Sequence, residues 1–263
     1  MRLGDADASR PNAWHPRRPN RKGCVRNRLA KGRGEQLNRL YNMDSPTDKT
    51  TAAIEELGGK PGALDGMGPI MERVPGWSRG HHFLFFKAVM HAMPELRSIL
   101  ILGVYMGRDI CFMLEAAKFR PLQVVGVDKF NAEPCDDWPV EKRGMTWEEA
   151  FHCLPPSLEL AAKNINALPP HDVSLIKADD ADFLPGVTRS FDMIYVDTSH
   201  DKATCLRQFA QVKKLCHPNT IIAGDDYENL EATWGVKDAV AEAFTTHQVL
   251  ADTIWFAGAG DYK

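Results

Sequence analysis

The chain has 263 residues, 44% hydrophobic and 25% charged, with a formal net charge of −3. That apolar content suits one large α/β domain with a buried core, and no apolar run approaches the roughly 20 residues a membrane span needs. Six cysteines (24, 111, 135, 153, 205 and 216) include no CxxC pair and follow no secretory signal, which suits reduced thiols in a cytoplasmic protein rather than a disulfide frame.

Residues 1–43 hold eleven Lys/Arg against three Asp/Glu, whereas the remainder holds 21 against 32. The segment "RPNAWHPRRPNRKGCVRNRLAKGRGEQ" has no helical or strand period and too little apolar area to fold alone, so a basic disordered tail is expected. Two sharper alternatives are a nucleic-acid-binding arm and a mitochondrial presequence. Asp5, Asp7 and the prolines spoil an amphipathic helix, and a nucleic-acid partner is not expected. A third alternative starts the natural protein at Met43, where "MDSPTDKTTAAIEEL" places a capping serine or threonine before a helix.

Residues 44–97 are expected to form a helical cap of one or two helices, notably "HHFLFFKAVMHAM", preceded by an ordered loop, "VPGWSRG". The apolar stretch "FLFFKAVM" could serve a homo-oligomer. From Ser98 onward the pattern changes. The runs "SILILGV", "QVVGVD", "DVSLIKA", "FDMIYVD", "TIIAGD", "HQVLAD" and "TIWFAG" have little polar alternation, as expected of strands buried on both faces. Between them, "RDICFMLEAAKF", "SLELAAKNINAL", "ATCLRQFAQVKKL" and "GVKDAVAEAF" repeat apolar residues at helical spacing. The expected fold is therefore α/β, a doubly wound, mostly parallel seven-stranded sheet over residues 98–263. The last two runs are joined only by a turn near Asp252, so they should pair antiparallel. Residues 130–155 form an unusually long connection, as an inserted lid would.

In such sheets ligands sit beyond the carboxyl ends of the strands. Five strand ends should share that rim: Gly103 to Gly107, Asp128, Ala178 to Asp180, Asp197 to His200, and Gly224 to Tyr227. "LGVYMGRDI" places Gly103 and Gly107 between a strand and a helix, where backbone can approach a ligand. The G-x-G-x-x-G of dinucleotide binders is missing. Asp128 is suited to receiving both hydroxyls of a ribose, with Asp179 and Asp180 where an adenine could lie. Asp197, Asp225 and Asp226, if crowded on one rim, would repel one another unless a cation neutralised them, and hard oxygen ligands favour Mg²⁺. His200 has a second reading as the cap of the helix that begins near Lys202. His81, His82, His152 and His171 read as surface or loop residues, and Cys135, His152 and Cys153 match no usual zinc spacing.

The ordered set "ILILGVYMGRD", "VVGVDKF", "LIKADDADFLP", "FDMIYVDTSH", "TIIAGDDY" and "GVKDAV" resembles a class I S-adenosylmethionine-dependent methyltransferase, over about residues 67–258. Within that superfamily it is most similar to metal-dependent O-methyltransferases of the macrolide-sugar and catechol type, grouped with the methyltransferase domain 24 families. The resemblance implies a Rossmann-like fold in which Gly103, Tyr105 and Gly107 surround the methionine part of the cofactor, Asp128 the ribose and Asp179 the adenine edge. It further implies Asp197, Asp225 and Asp226 as ligands of Mg²⁺ and His200 as the base. Many relatives carry an acidic residue where this chain has Ile101. The implied substrate is a small hydroxylated molecule, covered by Trp77, Phe130, Trp138 and Trp147 of the two segments 70–85 and 130–155. Competing functions are a nicotinamide-dependent dehydrogenase, which would leave the aspartate triad unexplained, and an accessory S-adenosylmethionine-binding protein without transfer activity.

Overall fold

The computed structural model describes residues 45–118, 120–131, 142, 144–228 and 234–263. The basic segment 1–43, with Cys24, and the residues Cys135 and Trp138 lie outside the described residues. Three helices precede the sheet: α1 (Pro46–Gly58), α2 (Met67–Arg73) and α3 (Gly80–Ala92). The Ser45 hydroxyl accepts from the backbone N–H of Asp48 and caps α1, as side-chain oxygens before a first turn do. Then follow β1 (Ser98–Leu102), α4 (Arg108–Ala117), β2 (Gln123–Asp128), α5 (Trp147–Phe151), α6 (Leu158–Asn166), β3 (Asp172–Lys177) and α7 (Asp180–Phe183). The chain closes with β4 (Phe191–Val196), α8 (Lys202–Val212), β5 (Cys216–Gly224), α9 (Val236–Ala243), β6 (Gln248–Leu250) and β7 (Ile254–Gly258).

The seven strands lie in the order β3-β2-β1-β4-β5-β7-β6. Neighbours from β3 to β5 pair in parallel, while β7 runs antiparallel to both β5 and β6. The order therefore reverses between β1 and β4, the point at which open α/β sheets place their ligands.

Successive side chains of a strand point to opposite faces. Ile99, Ile101, Met193, Tyr195, Ile221, Ala223, Ile254 and Phe256 accordingly meet the helical segment and α4, while Leu100, Leu102, Ile194, Val196, Ile222 and Trp255 meet α8 and α9. The apolar run of α3 faces this core. Phe86 packs edge-on to Tyr195 at 5.2 Å, and Phe85 lies 5.4 Å from Phe256. Phe83, Phe85, Phe86, Val89 and Met90 are all buried, each worth about 1.5–3 kcal/mol on leaving water. Among the described residues, no helix is long and apolar enough to cross a membrane.

Candidate active site

Gly103, directly after β1, has φ +90, and a Cβ there would stand 1.7 Å from the carbonyl oxygen of Asp197. Only glycine lets the two strand ends approach so closely. The β1 turn and the β4 turn are thereby packed backbone to backbone, with Asp197 N–H bonded to the Leu102 carbonyl at 2.8 Å. Asp128 pins the rest of the turn. Its Oδ2 accepts from the N–H groups of Val104 and Tyr105, both at 2.8 Å, and its Oδ1 from Phe130 N–H at 2.6 Å. A carboxylate offers about four acceptor sites, so three are spent on backbone and one remains for a ligand. Gly107 ends the turn as the residue before α4.

Tyr105 is drawn to the described end of the insertion. Its hydroxyl donates to the Leu154 carbonyl at 2.7 Å, and its ring packs 4.9 Å from Trp77 and 5.9 Å from Trp147. Trp147 touches Phe151 within α5, a helix started by a capping box between Thr146 and Glu149. The loop that carries Trp77 is tied to α4 by Arg108, which donates to the Val74 and Ser78 carbonyls. Trp77 keeps 52% of its surface exposed. Trp77 and Trp147 thus lie on one aromatic surface beside the glycine turn, whereas Phe130 is buried in the core.

At the end of β3 the two aspartates part. Asp179 caps α7 by accepting from Ala181 N–H and pairs with Lys129 at 2.9 Å. Asp180 turns toward α8, where the buried Gln208 bridges it to the Thr198 hydroxyl. Burial and the neighbouring Asp179 raise the pKa of Asp180.

Donor atoms of Asp197, His200 and Asp226 all lie within 4.8 Å of one another. His200 Nε2 is 2.9 Å from Asp226 Oδ2, and its ring stacks on Trp234 at 4.1 Å. The helix after His200 is capped by Asp201, which accepts from Thr204 N–H at 2.9 Å, so capping is not the imidazole's task. Asp225 sits apart from this group. Its Oδ2 is 2.7 Å from His82 Nε2 and its Oδ1 accepts from the Thr253 hydroxyl. Of the three carboxylates expected together, Asp197 and Asp226 lie with the His200 imidazole, and Asp225 is held beside them by His82 and Thr253. The reason lies in a residue expected at the surface: His82 is buried at 3% exposure.

Charge explains what this arrangement lacks. The Asp197 carboxylate accepts no hydrogen bond among the described residues, and burial together with the charges of Asp225, Asp226 and Asp109 pushes its pKa well above the ordinary carboxylate value. Burial would push Asp225 the same way, but the hydrogen bond and charge of His82 and the Thr253 bond outweigh it and its pKa is lowered. The two neighbouring carboxylates are thus pushed in opposite directions. Behind them, Asp109 is raised by burial despite His82, and its Oδ1 finds no donor. This donor set fits a divalent cation, which would neutralise the crowded carboxylates through hard oxygen ligands.

The sheet order and its antiparallel last strands are those of a Rossmann-like methyltransferase fold. Residues 100–227 match the methyltransferase domain 24 family, described as "Methyltransferase domain". The solved structure of CalS11, a calicheamicin methyltransferase, is 15% identical and aligns over 93% of this chain and all (100%) of its own, with a TM-score of 0.50. That likeness concerns the fold. TomG, an O-methyltransferase of Streptomyces achromogenes involved in tomaymycin synthesis, is 16% identical over 88% of this chain and 99% of its own, at a TM-score of 0.44. An O-methyltransferase from Bacillus cereus is 17% identical over 81% and 97%, at 0.45. No curated protein sequence matches the chain.

Proposed function

We propose that the enzyme transfers a methyl group from S-adenosylmethionine to a hydroxyl of a small molecule, a phenol or sugar, in a reaction that depends on Mg²⁺. The observation that carries this reading is the half-buried Asp197 carboxylate, which lies beside Asp226 and His200 and accepts no hydrogen bond among the described residues. Asp197 and Asp226 would hold the cation, with Asp225 supporting them. When bound, the cation would supply Lewis acidity that lowers the pKa of the acceptor hydroxyl. His200, its ring kept in place by Asp226 and Trp234, takes the proton from that hydroxyl as general base. An imidazole with an ordinary pKa of about 6.5 suits the task near neutral pH. The aromatic surface of Trp77, Tyr105 and Trp147 offers faces against which a ring-shaped acceptor can stack. It also keeps water from the methyl donor.

The proximity of His200 Nε2 to the two carboxylates favours one second reading, in which it is the third ligand instead of the base. A mixed oxygen and nitrogen set would then favour Mn²⁺ or a later metal over Mg²⁺. Conversion of labelled S-adenosylmethionine against a panel of catechols and glycosides, with Mg²⁺, with Mn²⁺ and with chelator, tests both. Turnover that needs Mg²⁺ supports the first reading, and a strong preference for Mn²⁺ supports the second. Methyl transfer that is unchanged by chelator overturns the cation in either form.

A further inference from the structure

Helix α3 lies outside the matched methyltransferase stretch, yet one of its side chains reaches the rim. His82 is the third residue of α3, where a capping box usually carries Glu or Gln to accept the N–H of the residue before the helix. Here the imidazole does that with one nitrogen: Arg79 N–H donates to Nδ1 at 3.0 Å. Because Nδ1 accepts, the neutral ring carries its hydrogen on Nε2, and Nε2 donates to Asp225 Oδ2 at 2.7 Å. The other oxygen of Asp225 accepts from Thr253, in the turn between β6 and β7.

Asp225 is therefore gripped from both sides by elements that flank the parallel sheet. Its neighbour Asp226 has φ +58, a left-handed conformation uncommon for a residue with a side chain. That turn directs the Asp226 carboxylate at His200 instead of continuing the strand. Tyr227 N–H then bonds the Thr253 carbonyl at 2.9 Å, so the turn is fastened on either side of Asp226. Removing the grip would free a half-buried carboxylate beside Asp197, whose own carboxylate accepts no hydrogen bond among the described residues.

We infer that His82 is a positioning residue of the cation site: it holds Asp225, and through Asp225 the turn that presents Asp226 to Asp197 and His200. Partners behind ligating groups commonly change metal affinity 10–100-fold when lost. The inference rests on the cation-dependent reading given above.

The two nitrogens of His82 have separable tasks, and two substitutions divide them. A glutamine amide nitrogen can stand where Nε2 stands, so His82→Gln keeps the donor to Asp225 and gives up the helix cap. An asparagine oxygen can stand where Nδ1 stands, so His82→Asn keeps the cap and gives up Asp225. Mn²⁺ is titrated into the full chain and followed by electron paramagnetic resonance, with S-adenosylmethionine affinity measured alongside by calorimetry. His82→Asn should weaken Mn²⁺ binding by at least about tenfold, and His82→Gln should stay within about threefold of the wild type. Both should bind S-adenosylmethionine as the wild type does. Equal Mn²⁺ affinity in wild type and His82→Asn overturns the inference alone, as does an equal loss in both variants. A wild-type chain that binds no Mn²⁺ overturns the cation-dependent reading and this inference with it. Should His82→Asn fail to fold, Thr253→Val releases the other oxygen of Asp225. A similar loss of Mn²⁺ affinity then supports the clamp, and wild-type affinity refutes it.

Discussion

Replacing Gly103 by alanine tests whether the two strand ends are packed as tightly as the backbone indicates. The new Cβ would lie 1.7 Å from the Asp197 carbonyl oxygen, where real contacts stay beyond 3.0 Å. The turn or the β4 end must therefore move by more than an ångström, against the Asp197–Leu102 hydrogen bond. Alanine at φ +90 adds conformational strain of about 1–2 kcal/mol, and forced displacement of a packed group adds about 1–3 kcal/mol. The loss should total roughly 2–5 kcal/mol, which in a chain of this size lowers the melting temperature by about 5–20 °C. Gly144 is the control, because its φ is +85 and no atom lies within 4 Å of its Cβ position. Gly144→Ala should show only the strain, about 1–2 kcal/mol. Thermal unfolding of both variants, with calorimetric titration of S-adenosylmethionine, separates the terms. A Gly103→Ala protein that melts with Gly144→Ala and binds S-adenosylmethionine like the wild type would refute the close packing and its link to the cofactor turn.

In the cation-free protein, raising the pH from about 4 should destabilise the fold, because Asp197 has a raised folded pKa and keeps a proton that the unfolded chain releases. Asp197→Asn should reduce that slope, melt higher than wild type near neutral pH and lose stabilisation by Mg²⁺; a variant with an unchanged slope in melting scans would contradict this. Asp192 has the opposite sign. Burial opposes its charge, but hydrogen bonds from Arg97 N–H, Ser98 and His217 lower its pKa, so its stabilisation is present above the unfolded value of about 3.9 and is lost as pH falls through the lowered folded value. Asp192→Asn should cost about 1–3 kcal/mol at neutral pH and flatten this acid limb in denaturant titrations, and an unchanged limb would speak against it. His200→Ala should lower turnover by about 10²–10⁴ while S-adenosylmethionine affinity stays unchanged, and wild-type turnover across about pH 6–9 would remove His200 from the role of base.

The strands were legible because parallel strands covered on both faces need continuous apolar runs. Each of the seven runs from "SILILGV" to "TIWFAG" contains or overlaps a strand of the sheet. The antiparallel pairing of the last two followed from the short turn at Asp252, which cannot hold a crossover. Strand order was not written in any single run, since it depends on how the helices fill both faces. The segment before the sheet was read as one or two helices because α2 is only seven residues long and leaves just Ile70 buried, too little to show a period. The run "FLFFKAVM" showed its apolar character but not its partner. Its phenylalanines meet Tyr195 and Phe256, contacts more than a hundred residues distant along the chain.

The rim was legible to the extent that its groups sit at strand ends, and illegible where a group depends on what faces it. Asp197, Asp225 and Asp226 look equivalent in sequence, yet among the described residues Asp225 accepts from His82 and Thr253 while Asp197 accepts no hydrogen bond. His200 reads in sequence as a cap for the following helix, but the neighbouring Asp201 caps it, and the imidazole meets Asp226 instead. His82 gave no local sign, because Arg-x-x-His lacks the acidic residue by which a capping box is recognised. Its partner is 143 residues away. The stretch 100–227 thus contains Asp197, His200 and both later aspartates, but neither His82 nor Thr253. Taken by itself it would bring several like charges together with too few donors. The helical segment ahead of the sheet and the turn behind it supply donors to Asp225, which makes them part of the acidic rim as well as a cover for the core.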